Sequence, residues 1–172
     1  MEAGADAVKV EGGKEIADII KSMTESKIPV MGHLGLLPQT AEKYTVQGKT
    51  KENAIRLIED AKIITESGVF SIVLEMVSSQ VAKIITEKIS VPTIGIGSGK
   101  DCDGQVLVVH DMLGLFEKIK PKFAKRYLSL SEEIRNAVKS YVEEVKEEKF
   151  PAIENEFQMD ESEYNELRKE IV

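Results

Sequence analysis

Pro92-Thr93-Ile94-Gly95-Ile96-Gly97-Ser98-Gly99-Lys100 is a short β-branched run that empties into a glycine-rich turn. A strand followed by glycines suggests a dinucleotide-binding crossover, and that reading is testable. The fingerprint needs a third glycine three residues after the second and a helix opening at once. Here Lys100 stands in that place, and no helical periodicity begins directly after it. The dinucleotide reading therefore weakens. An apolar strand ending in a small-residue turn remains, as expected of a (β/α) barrel.

Working outward, the same alternation recurs. Short apolar runs with little polar alternation predict strands over Asp6–Val10, Pro29–His33, Phe70–Glu75, Pro92–Ile96 and Gln105–Val109. Helical spacing predicts Lys14–Ser26, with Ile16, Ile19, Ile20 and Met23 on one face. It predicts Thr50–Ser67, with Ala54, Leu57, Ile58, Ala61 and Ile64 inward and Gly68 as the stop. It also predicts Ser79–Lys88, with Val81, Ile84 and Ile85 inward. Strand and helix in alternation give a parallel sheet with right-handed crossovers. After Val109 the pattern turns helical, with helices expected over Lys120–Leu128, Leu130–Lys149 (ended by Pro151) and Asp160–Ile171. The expected organisation is one domain over 1–172, with βα units in 1–115 and C-terminal helices in 116–172.

Composition limits the function classes. The chain has 172 residues, 42% hydrophobic and 31% charged, enough for a packed core. A net charge of −7 argues against general affinity for nucleic-acid phosphates. No apolar run approaches the ~20 residues of a membrane span. The opening lacks an export signal, and the single Cys102 cannot form an internal disulfide, so a cytoplasmic location is expected. The late acidic run from Glu143 to Glu163 reads as a solvated face. The basic group Lys118, Lys120, Lys122, Lys125 and Arg126 reads as surface, with some power to attract an anion.

Polar residues gather at strand ends. Lys9 and Glu11 are two apart on one strand, so both project to the same side. There an ammonium can hold an anionic substrate and a carboxylate a divalent cation, although a strand-end ion pair is the plainer reading. His33 closes the second strand between Gly32 and Leu34-Gly35. Glu75 closes the apolar run Ser71-Ile72-Val73-Leu74, where desolvation would raise its pKa toward that of a general base. His110-Asp111 are adjacent and would face apart on a strand, which favours a structural role. Two histidines, one cysteine and no HExxH or CxxC spacing make a zinc site a poor reading.

Taken in order, these segments resemble the ketopantoate hydroxymethyltransferases across nearly the whole chain. The resemblance is carried by the stretches Gly4–Gly13, Pro29–Gln39, Val46–Lys49, Ile72–Val77, Pro92–Gly99, Asp103–Asp111 and Lys120–Phe123. It implies a (β/α)8 TIM-barrel fold and hydroxymethyl transfer from 5,10-methylenetetrahydrofolate to 3-methyl-2-oxobutanoate, giving 2-dehydropantoate for pantothenate synthesis. Mg²⁺ is implied, holding the 2-oxo acid. By the same analogy Glu11 is the metal ligand, Lys9 and His33 are substrate-binding, and Glu75 removes the C3 proton. A homo-oligomer is implied as well.

A whole barrel takes eight strands and ~250 residues, whereas five strands are visible here. They are expected to correspond to strands 4 to 8, with the first three supplied by a missing segment or a second chain, readings favoured over a decayed remnant. The resemblance places two further metal-binding aspartates and a serine in that missing part, so the chain alone is expected to be inactive as a transferase. Two alternatives stand beside this reading. One is a Mg-dependent 2-oxo-acid lyase or mutase of the phosphoenolpyruvate mutase type, for which Cys102 is a poor match to the reactive loop. The other is a non-catalytic assembly subunit.

Overall fold

The computed structural model describes residues 4–171, so the limits at 1 and 172 lie outside the described residues. Five strands form one parallel sheet, β1 (Val8–Glu11), β2 (Val30–Gly35), β3 (Ser71–Glu75), β4 (Thr93–Ile96) and β5 (Gly104–Gln105). Their order in space is their order in the chain. Helices α1 (Ala17–Glu25), α2 (Lys51–Glu66) and α3 (Ser79–Lys88) form the first three crossovers. The sheet is not closed.

The register sorts side chains between two faces. Val8, Val10, Val30, Leu34, Ile72 and Leu74 share one face, and all belong to or pack on the apolar core. Ile20 of α1, Leu57, Ala61 and Ile64 of α2, and Val81, Ala82 and Ile85 of α3 complete that core. The three helices thus cover the same side. The opposite face carries Lys9, Glu11, Met31, His33, Val73, Glu75 and Ile96. Helices on one side of a sheet whose strands run in sequential order make an arc of a (β/α) barrel. A doubly wound sheet reverses strand order and clothes both faces.

Local chemistry explains the element ends. Thr50 caps α2 by accepting a hydrogen bond from the Asn53 N–H at 3.2 Å. Gly68, at φ +96°, follows the helix in the left-handed conformation that ends it. The first four strands and the first three helices match the sequence reading to within a few residues. The inward stripes need two corrections. Ile19 is 58% exposed because α1 turns Ile20 and Met23 to the core, and Ile84 lies at the rim beside buried Val81 and Ile85.

Two elements differ outright. The strand expected over Gln105–Val109 is only Gly104–Gln105. Val106 donates a last hydrogen bond to the Gly95 carbonyl, and by Val109 the chain has entered the short helix α4 (Val109–Leu113), which contains His110 and Asp111. No helix forms over Lys120–Leu128. Pro121 opens a tight turn closed by Ala124 N–H on its carbonyl, and Phe123 lies against Gly97.

The chain divides into two compact units. Of the described residues, the first unit holds 4–112 with 120–125, and the second holds 113–119 with 126–171. The second contains α5 (Leu130–Lys146) and α6 (Glu161–Ile171), neither of which buries a residue. On α5 the expected apolar stripe is present but exposed, at Ile134, Val138, Tyr141, Val142 and Val145. Arg135 pairs with Glu117 through two hydrogen bonds of 2.8 and 3.0 Å, holding the Glu117 carboxyl down at about 2.

Candidate active site

The site is built on the sheet face that the helices leave free. Glu11 is in register with His33, and Gly35 with Glu75, so the C-terminal ends of β1, β2 and β3 present their polar groups at adjoining levels. His33 lies between the two carboxylates. Its Nδ1 is 3.6 Å from Glu11 Oε1 and its Nε2 is 3.3 Å from Glu75 Oε2. The imidazole is 1% exposed, yet neither ring nitrogen makes a hydrogen bond of normal geometry. Glu11 Oε2 accepts from the Gln39 N–H at 3.2 Å.

Burial sets the charges. It pushes the His33 pKa below its ordinary value, with the Lys9 ammonium adding to the effect and Glu11 opposing it. Burial pushes the Glu75 carboxyl up, against Lys9 and with the help of Glu11. A neutral imidazole has one N–H and one lone pair, so it donates to a single carboxylate. The other carboxylate must bring its own proton or water. This arrangement can take up, hold and pass on one proton.

The structure thus brings Glu11, His33 and Glu75 together, and Lys9 shares their face within electrostatic reach of His33 and Glu75. Several supporting contacts have no counterpart in the sequence reading. Asp60 on α2 is buried behind the Gly12-Gly13 turn and accepts from the Lys14 N–H at 3.1 Å. A carboxylate three residues after inward Leu57 was the available signal. Gln39 acts through its backbone, which no side-chain pattern announces. Cys102 is half-buried, and burial pushes its thiol pKa up, the reverse of what a reactive cysteine loop requires.

Mg²⁺ favours hard oxygen ligands in octahedral array. Glu11 supplies a carboxylate of the right chemistry, but among the described residues no group of three or more His, Cys, Asp or Glu side chains surrounds a common point. The described residues fit the ion as one ligand and do not complete its shell. No helix among them is long and apolar enough to cross a membrane.

Comparison with known proteins adds an independent line. The family model for ketopantoate hydroxymethyltransferase matches residues 1–153. A 3-methyl-2-oxobutanoate hydroxymethyltransferase of Nitrosopumilus maritimus (strain SCM1) is 57% identical over 174 residues, covering 99% of this chain and 62% of that protein. The enzyme of the same name from Syntrophus aciditrophicus (strain SB) is 57% identical over 160 residues, covering 91% and 59%. That of Clostridium botulinum (strain 657 / Type Ba4) is 52% identical over 169 residues, covering 96% and 62%. The chain spans about three-fifths of the length of these curated relatives. With a matching family model over most of its length and identities above one half, the chain belongs to the ketopantoate hydroxymethyltransferase family.

Proposed function

We propose that this chain carries the proton-transfer part of an active site that moves a hydroxymethyl group from 5,10-methylenetetrahydrofolate to 3-methyl-2-oxobutanoate in the cytoplasm. The reading rests on one observation above all, the placement of His33 between the Glu11 and Glu75 carboxylates on a face shared with Lys9. The names of the relatives agree with it.

Lys9 neutralises the carboxylate of the 2-oxo acid. Glu75, made more basic by burial, takes the C3 proton, and the electron pair left behind forms the new C–C bond to the folate methylene carbon. Water supplies the hydroxyl oxygen, and tetrahydrofolate leaves. His33 accepts the proton from Glu75 or steers it, and its lowered pKa keeps a lone pair available at neutral pH. Glu11 would hold Mg²⁺ as one of several oxygen ligands, with water and substrate oxygens among the others. That ion, when bound, supplies Lewis-acid stabilisation of the enolate charge.

Exchange of the C3 hydrogen of 3-methyl-2-oxobutanoate in D₂O with Mg²⁺, followed by proton NMR, isolates the first step from folate chemistry. Glu75→Gln is expected to slow it by about 100-fold or more. Lys9→Gln is expected to weaken calorimetric binding of the 2-oxo acid by about tenfold. Exchange above the protein-free rate that Glu75→Gln leaves at the wild-type level, or a Lys9→Gln variant that binds the 2-oxo acid as tightly as the wild type, would remove this reading.

A further inference from the structure

Strand β3 ends in a tightly held kink. Met76, the residue after Glu75, has a φ of 49°, a left-handed conformation that non-glycine residues seldom adopt and that clusters at functional sites. The backbone groups around it are held by hydrogen bonds. The Glu75 carbonyl accepts from the Leu36 N–H at 2.8 Å, the Met76 N–H donates to the Ile96 carbonyl at 2.8 Å, and the Met76 carbonyl accepts from the Gln47 N–H at 2.8 Å. The two groups on either side of Glu75–Met76 converge on one hydroxyl. Ser98 Oγ donates to the Leu74 carbonyl at 2.6 Å and accepts from the Val77 N–H at 3.1 Å, and Ser98 is 1% exposed. A single side chain thus bridges the backbone on the two sides of the kink.

Glu75 is the last residue on the regular pleat, in register with Gly35 and Ile96, and the chain leaves the β conformation at the next residue. We infer that Ser98 is a positioning residue for Glu75, bridging the backbone on both sides of it so that the strand end, and with it the carboxylate, stays fixed against His33. The inference rests on the reading of Glu75 as the base and adds the device that aims it. Ser98 itself touches neither carboxylate in any hydrogen bond of the structure.

The test is carboxyl ¹³C NMR of the full 172-residue chain, with the Glu75 signal assigned through Glu75→Gln. The charged groups facing Glu75 are Lys9, Glu11 and His33, and none is altered. In Ser98→Ala, Glu75 swings toward solvent and its titration midpoint is expected to fall toward that of a solvated carboxylate. Ser98→Cys retains a weak donor and acceptor in similar volume, folds if the alanine variant does not, and is expected to lie in between. Met76→Gly keeps every hydrogen bond and removes the left-handed penalty, so it should raise the thermal midpoint and leave the Glu75 titration in place. A merely structural Ser98 would change stability alone. A Glu75 midpoint at its wild-type position in a folded Ser98→Ala or Ser98→Cys chain overturns the inference. C3 exchange tests the base reading separately, so failure of one leaves the other measurable.

Discussion

Gly35 holds a φ of +98°, and a Cβ there would overlap the Glu75 carbonyl oxygen, so backbone strain and collision act together. Gly35→Ala is therefore expected to cost about 3 kcal/mol or more in urea unfolding, because the neighbour is backbone and cannot move aside. The ionisable groups give opposite pH signatures. Burial raises Glu75 above 4.5, so from pH 4.5 upward the folded chain keeps a proton that the unfolded chain has lost, and stability falls as pH rises through that window. His33 is lowered below 6.5, so stability falls as pH drops below 6.5, where the unfolded chain binds the proton more readily. Glu75→Gln removes the first penalty and should raise the thermal midpoint at pH 7 even as it slows C3 exchange. The four polar groups were legible from strand periodicity, since 9 and 11 must share a side and 33 and 75 close apolar runs. Ser98 was not, because its partners are backbone atoms of Leu74 and Val77, more than twenty residues away.

Among the elements, α2 is the main support of the site-bearing strands. Its Ile64 is fully buried and reaches toward Gly32 of β2. Ile64→Ala should cost about 3 kcal/mol, and loss of the cap in Thr50→Ala about 1 kcal/mol, both read from denaturant midpoints. Helices α1 to α3 were legible because each has one inward stripe against one sheet face. The failures came where tertiary contacts overrode local pattern. Val106, Val108 and Val109 are β-branched enough for a strand, yet only Gly104 and Gln105 find ladder partners on β4. Lys120–Leu128 has some helical spacing, but Pro121 opens a turn there and Phe123 packs on Gly97.

At the largest scale, β1 and β5 lie at the edges of the sheet among the described residues, and α5 displays an unburied apolar stripe. Both favour association. Sedimentation of the chain is expected to depend on concentration, and Val138→Glu with Val142→Glu should shift it toward the monomer. Full hydroxymethyl transfer by these 172 residues alone is expected to be undetectable, because the described residues give Mg²⁺ a single proposed carboxylate ligand, Glu11. Turnover with Mg²⁺ and the folate donor would contradict that. The barrel class was legible in the order of strands and helices, whereas the division into two units was not, since it depends on which helices find a core.

Strand order in space repeats strand order in the chain, and this bears on synthesis. Each new βα unit meets a surface already made, so the sheet can assemble from one end while the ribosome is still adding residues. Lys9, Glu11, His33 and Glu75 have all emerged once β3 is complete. What is translated afterwards contributes none of these four groups, and part of it, Ser98 foremost, arrives to fix the aim of a carboxylate already in place.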